Sequence, residues 1–277
     1  TTLGREDHGF DPRGGFFDAL MQDPVLSQVQ LIAEPWDIGP GGYRLGEFPY
    51  RFQEWNDRYR DTIRRYWRGD EHATQDLAAG LLGSADRFDQ AGRSAASSIN
   101  FVTSHDGFTL ADVTAFDRRH NAANTEHNKD GHHSNYSDNC GTEGVTDDPV
   151  IIAKRARRQR NMLATMFLSQ GTPMLLAGDE IANSQSGNNN AYCQDNTIGW
   201  LNWDRGDQEL ADFVARLSAF RTAHPVLRQA RFLHSARRMA DDLPDVAWRD
   251  FRGEPLEWRD PGLASFTLVV RGAAEAP

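Results

Sequence analysis

The apolar positions of the chain recur in two distinct patterns. Short continuous runs stand at 29–33 (Val-Gln-Leu-Ile-Ala), 52–55, 98–103 (Ser-Ile-Asn-Phe-Val-Thr) and 173–177 (Pro-Met-Leu-Leu-Ala), each too short for a helix and each bounded by turn residues. Between them lie stretches of helical period. A short helix is expected over 16–21 ahead of Pro24, and further helices over 59–67 with Gly69 as its stop, 74–82, 109–116 and 208–222. A longer one opens at Asp148-Pro149, an N-cap followed by proline in the first turn, and runs to about Leu168. Short buried strands alternating with helices predict a parallel α/β sheet. After Pro225 the texture changes to short antiparallel strands such as 264–270. The expected division is 1–224 and 225–277.

Residues 120–148 break both patterns. This long polar segment, rich in Asn, His and Asp, reads as a solvated lid over a cleft. Its Glu126-x-Asn128-x-Asp130-Gly131 echoes a calcium loop, but Ser137 stands where the twelfth-position carboxylate is required, so no metal is expected. No cofactor is expected either. The arginines of the 59–67 region (Arg58, Arg60, Arg64, Arg65) read as a solvated, ion-paired face.

Composition narrows the function classes. A formal net charge of −10 disfavours nucleic acid as a partner, because phosphate binding requires clustered Lys and Arg. No apolar run approaches the roughly 20 residues that span a bilayer, so no membrane partner is expected. The two cysteines, Cys140 and Cys193, have neither metal-ligand spacing nor disulfide density and point to a reducing, cytoplasmic compartment. Among the seven Trp, Trp36 and Trp55, together with Tyr192, are candidates for stacking on a sugar ring.

The chemistry lies at the strand ends. Three of the predicted strands finish in acidic residues: Glu34, Asp106, and Asp179 with Glu180. In (β/α)-barrels catalytic groups project from the carboxyl ends of the strands. Carboxylates gathered beside aromatic rings suit glycoside hydrolysis, in which one group donates a proton to the leaving oxygen and another stays anionic opposite the oxocarbenium-like carbon. On these grounds alone Glu34 and Asp106 would be an acid and nucleophile pair.

The residues around these acids carry a specific resemblance. Leu31–Asp37 (LIAEPWD) resembles the fifth-strand motif of the family-13 glycoside hydrolases, in the form found in isoamylase-type glycogen debranching enzymes. Asn100–Phe108 (NFVTSHDGF) resembles their seventh-strand motif and Ser169–Glu180 (SQGTPMLLAGDE) their eighth strand. Gly187–Asn196 (GNNNAYCQDN) and Asn139–Gly144 (NCGTEG) resemble loops of the debranching enzymes rather than those of general α-amylases. The resemblance covers most of residues 1–225.

It implies the second half of a (β/α)8 TIM barrel, strands five to eight, followed by the start of a β-sandwich domain. It implies hydrolysis of α-1,6 branch linkages in glycogen or limit dextrin, with retention of configuration and a branched α-glucan as substrate. Glu34 becomes the general acid/base, Asp106 the carboxylate that binds sugar hydroxyls and stabilises the transition state, and His105 a hydroxyl donor beside it. Trp36, Asp37, Trp55 and Tyr192 are candidate substrate contacts. The family's nucleophile is an Asp in a Gly-Phe-Arg-Phe-Asp-like segment of the fourth strand, and no residue of this sequence matches it. Gly9-Phe10-Asp11 is a superficial echo, followed by Pro12 in a turn. The expectation is a chain inactive alone, with open sheet edges that favour self-association or pairing with an N-terminal half. The remaining alternatives are a transglycosylase or trehalose-releasing hydrolase of the same superfamily, or a glucan-binding fragment without turnover.

Overall fold

The computed structural model describes residues 1–260 and 262–272. A small hairpin of β1 (Arg5–Glu6) and β2 (Gly9–Phe10) precedes α1 (Gly15–Gln22). β3 (Leu31–Ala33) and β4 (Phe52–Asn56) follow, joined by an irregular loop. Next come α2 (Asp57–Arg68), α3 (Ala73–Leu81), α4 (Ala85–Phe88), β5 (Ser98–Phe101), α5 (Leu110–Val113), α6 (Pro149–Leu168), β6 (Thr172–Met174) and α7 (Gln208–Ala223). β7 (Val246–Arg249) and β8 (Thr267–Val270) form an antiparallel pair beyond α7.

The central sheet is parallel, in the order β3-β4-β5-β6. Strands adjacent in sequence are adjacent in space, so every carboxyl end lies on one side. β5 is buried at all four positions, with Ser98 and Asn100 alternating with Ile99 and Phe101. The polar alternates form a ladder: Asn56 donates to Ser84 and Ser98 at 2.9 Å each, Ser98 donates to Asn100 at 2.7 Å, and Asn100 donates to the Gln170 carbonyl at 2.7 Å. Each buried polar group thereby finds the partner its desolvation demands.

The helices follow their sequence signals. Asn56 caps α2 by accepting from the Tyr59 N–H at 2.9 Å, and Gly69 closes it in the left-handed conformation at φ 97°. Asp148 caps α6 by accepting from the Val150 N–H at 2.8 Å, with Pro149 in the first turn. Met162, Leu163, Met166 and Phe167 of α6 fall on one face and pack with Tyr59 and Ile63 of α2 and Leu210 and Val214 of α7. Each such side chain stabilises the core by about 1.5–3 kcal/mol on transfer from water.

The structure differs from the sequence expectation at several places. β6 begins at Thr172 and ends at Met174, short of Ala177, because its β5 partner ends at Phe101, paired with Met174. The helix expected over 109–116 stops at Val113, since the loop captures its carbonyls: Asp138 N–H donates to Val113 at 3.0 Å and Gly144 N–H to Ala115 at 2.7 Å. Arg64 is not on a solvated face. It is 4% exposed and donates to the Val102 carbonyl at 2.8 Å and the Asn135 carbonyl at 2.9 Å. The 120–148 segment is not a solvated lid throughout, because Asn121, Asn124, Asn135, Ser137 and Cys140 are buried in it.

Candidate functional site

Two strand ends build the site. Ala33, the last residue of β3, pairs in register with Glu54 of β4, so Glu34 leaves the sheet directly above the first two strands. Pro35 is buried behind it and its carbonyl accepts from Arg44 N–H at 2.7 Å, which turns the chain away from the sheet. β5 delivers His105 and Asp106 to the same side. One polar atom from each of Glu34, His105 and Asp106 lies within 4.8 Å of the others, and all three side chains are exposed. His105 Nε2 stands 3.5 Å from Asp106 Oδ1.

The turn from Thr103 to Leu110 that carries this pair is held at three points. Asp179, just beyond β6, accepts from the Thr103 hydroxyl and from the Leu110 N–H at 2.9 Å. Gly107 N–H donates to the Asn189 carbonyl at 3.0 Å, with Gly107 in the left-handed region at φ 97°. Burial pushes the Asp179 carboxyl up to about 7. Asp179, one of the three acidic strand ends, is therefore a buried bracket, 2% exposed, and faces away from solvent. Glu180 folds back to accept from Gly178 N–H at 2.8 Å.

The aromatic candidates take different positions. The Trp55 indole stands edge-on to the His105 ring at 5.6 Å and also meets Phe101 at 5.9 Å, so it buttresses the histidine from below. Tyr192 is 73% exposed and lies across a cleft of about 360 Å³ whose other walls include His105, Asp106, Thr109, Leu176 and Leu201. Its hydroxyl donates to Glu126 at 2.6 Å, and this negative neighbour pushes the phenol up to about 12. Trp36 is half-buried.

Asp37 is not brought to the cluster. Its carboxylate accepts from Arg5 Nη2 at 2.6 Å, Arg5 Nε at 3.2 Å, Thr2 Oγ1 at 3.1 Å and Gly39 N–H at 2.8 Å. The Arg5 guanidinium holds it down at about 2. Asp11 serves its own turn by accepting from Arg13 N–H at 2.8 Å. Asn183 and Gln185, outside every motif of the sequence, and Asn190 and Gln194, within the Gly187–Asn196 run but not named as site residues, supply polar groups to the cleft wall. Their signal was the amide-rich run after Ala182.

Comparison with known proteins gives the site a context. The chain is 49% identical over 265 residues to the "Glycogen operon protein GlgX homolog" of Mycobacterium tuberculosis, covering 95% of this chain and 37% of that protein. It is 48% identical over 261 residues to the "Glycogen debranching enzyme" of Dickeya chrysanthemi, covering 93% of this chain and 39% of that protein. The chain thus spans well under half the length of these relatives. Among solved structures, the pullulanase of Anoxybacillus sp. LM18-11, determined with maltotetraose, superposes with a TM-score of 0.55 at 22% identity, over 76% of this chain and 28% of that one. That likeness is one of fold. No family model matches the sequence.

Proposed function

We propose that this chain, which belongs to the family of the bacterial glycogen debranching enzymes, carries the acid/base part of an active site that hydrolyses α-1,6 branch linkages in glycogen or limit dextrin. The observation that supports this reading most is the convergence of Glu34, His105 and Asp106 within 4.8 Å at the carboxyl end of a parallel sheet. In the proposed reaction protonated Glu34 donates to the glycosidic oxygen as the C–O bond breaks and a carboxylate nucleophile bonds to the anomeric carbon, leaving a glycosyl-enzyme ester for water to hydrolyse. Asp106 remains anionic, accepts from sugar hydroxyls and stabilises the positive charge that develops on the anomeric carbon. His105 donates to a hydroxyl. Glu34 then takes a proton from the water that releases the sugar with retention. Trp36 and Tyr192 contribute ring faces to the glucan.

In this reading the nucleophile is an Asp of a preceding strand that no residue of this sequence matches, and the 277-residue chain by itself does not turn over. β3 to β6 are then strands five to eight of a (β/α)8 barrel, and residues 225–277 open a C-terminal β domain. A cytoplasmic location, with Cys140 and Cys193 as free thiols, belongs to the same reading.

A second reading follows from the strand-end carboxylates taken alone: Glu34 and Asp106, whose nearest ligand atoms lie within 4.8 Å, are the acid and nucleophile pair of a retaining reaction. Asp106 would then be the nucleophile and the chain complete in chemistry. A fluorinated glucosyl fluoride that traps the glycosyl-enzyme separates the two: label on Asp106 in the purified chain favours the second reading, and an unlabelled, inactive chain the first. In the complete enzyme Glu34→Gln should lower debranching by on the order of 10²–10⁴-fold. Unchanged hydrolysis would remove Glu34 from the mechanism. Transfer products, or trehalose, would move the reaction class within the superfamily. Glucan affinity without turnover by the complete enzyme would leave only a binding role.

A further inference from the structure

The segment 183–194 and the segment 119–135 are joined by side-chain amides, and the join reaches the catalytic turn. Asn189, 1% exposed, is the centre of it. Its N–H donates to Asn121 Oδ1 at 2.9 Å, and Asn121 Nδ2 donates back to Asn189 Oδ1 at 2.9 Å. The Asn189 side-chain amide also donates to the His132 carbonyl and to Asn135 Oδ1, both at 2.9 Å. Asn121, 0% exposed, donates further to the Asp130 carbonyl at 3.0 Å. The remaining free group of Asn189 is its backbone carbonyl, and that carbonyl accepts from Gly107 N–H, the residue after Asp106.

We infer that Asn189, locked by Asn121, is a positioning residue for Asp106: it fixes the His105–Gly107 turn through the Gly107 amide and so sets where the Asp106 carboxylate stands. This rests on the reading of Asp106 as a group that acts in the transition state. Asn189 touches neither substrate nor reacting atoms. Reciprocal amide pairing fixes the Asn189 N–H and side chain, and Asn190 N–H, which donates to Asn188 Oδ1 at 2.9 Å, holds the next peptide so that the Asn189 carbonyl meets Gly107. Thr103 and Leu110 are held by Asp179 at the two ends of the turn. Without Asn189 the hydrogen bond from the Ser104 hydroxyl to the Asp106 carbonyl at 3.2 Å would remain, with Phe108 held by its packing in the core. A displacement of about 1 Å at a catalytic group can cost on the order of 10²-fold in rate. The debranching-type run Gly187–Asn196 thereby acquires a task distinct from lining the cleft.

Two measurements test it. The first is amide exchange by NMR on the 277-residue chain. Gly107 should be protected in the wild type and lose at least about 10-fold of that protection in Asn121→Asp, which keeps the acceptor and removes the donor, while α6 amides stay protected. If α6 opens as well, Asn135→Ala, which removes one acceptor of Asn189 and the 3.3 Å donor to the His132 carbonyl but leaves the Asn121 pairing intact, decides by the same comparison. An unprotected Gly107 in the wild type, or one unaffected by a folded variant, overturns the lock. The second is kinetics in the complete enzyme. The variant should lower kcat by roughly 10- to 100-fold with KM within about 3-fold. Normal kcat in a variant whose Gly107 amide has been freed overturns the positioning role. If Asp106→Asn leaves turnover intact, the reading of the site fails, and the exchange result still stands or falls by itself.

Discussion

Arg93 donates to the Glu54 carboxylate at 2.5 Å with the two side chains 1% and 0% exposed. Glu54 lies in the middle of β4, and its other contacts come from the loop that begins at Glu34: Gly46 N–H donates at 2.6 Å and Phe48 N–H at 3.3 Å. Arg93 spans the same loop by donating to the Phe48 carbonyl at 3.3 Å and the Phe52 carbonyl at 2.9 Å. The pair therefore ties the loop carrying Trp36 and Asp37 back to the sheet.

Breaking this pair from one side should be costly, because the partner is left charged and buried. Arg93→Met is expected to destabilise by about 3–5 kcal/mol, and the double change with Glu54→Leu by clearly less. Urea midpoints of the two variants check this. A double variant as unstable as the single one would mean that packing, not charge, holds the loop.

Asp37 gives an acid-side prediction. Its carboxyl is held at about 2 in the fold against an ordinary 3.8, so the folded state binds its proton less readily than the unfolded chain. Its contribution is full above pH 3.8 and is lost as pH falls through about 2. The stability gap between wild type and Asp37→Asn should be widest above pH 4 and close toward pH 2. A gap independent of pH in denaturant titrations would refute the assignment.

Asp179 has the opposite sign. Its folded carboxyl is raised to about 7 from 3.8, so the fold holds a proton that the unfolded chain releases. That contribution is full below pH 3.8 and is lost as pH rises through about 7. Asp179→Asn, which keeps an acceptor for Leu110, should flatten the decline in stability between pH 5 and 8. Thermal melts across that range, with an unchanged slope as the contrary result, settle the point.

Gly131 marks the closest approach in the amide network. Its φ is +75°, and a Cβ there would run into Asn189 Oδ1 and lie 2.8 Å from Asn121 Nδ2. Gly131→Ala should cost about 1–3 kcal/mol from backbone strain alone, and it should free the Gly107 amide as Asn121→Asp does. Retained protection of Gly107 in the folded alanine variant would show that the network yields without moving the turn.

Several elements were legible before the structure because their causes are local. Asp148-Pro149 and Gly69 are backbone signals that act within one turn, and α6 and α2 begin and end beside them. The apolar runs 29–33 and 98–103 gave two strands, observed as Leu31–Ala33 and Ser98–Phe101, and the acidic residues beyond them, Glu34 and Asp106, meet at one end of the sheet. The identity of Asp179 as a bracket was not legible. In sequence it is one more acidic strand end, and only the Thr103 and Leu110 donors, 76 and 69 residues away, distinguish it. Arg64 among three ion-paired arginines, and the buried asparagines of 121–135, were hidden for the same reason.

The sequence by itself determined the alternation of the four central strands with the longer helices, the candidate acids and the family, because periodicity, caps and contiguous motifs are properties of short stretches of chain. The tertiary structure decided which polar residues gather at the cleft and which are held inside the fold. It set Asp37 against Arg5, Asp179 against Thr103, Trp55 beneath His105 and Asn189 behind Gly107. Those assignments depend on desolvation and on hydrogen-bond partners distant in sequence, and both exist only once the chain has closed on itself.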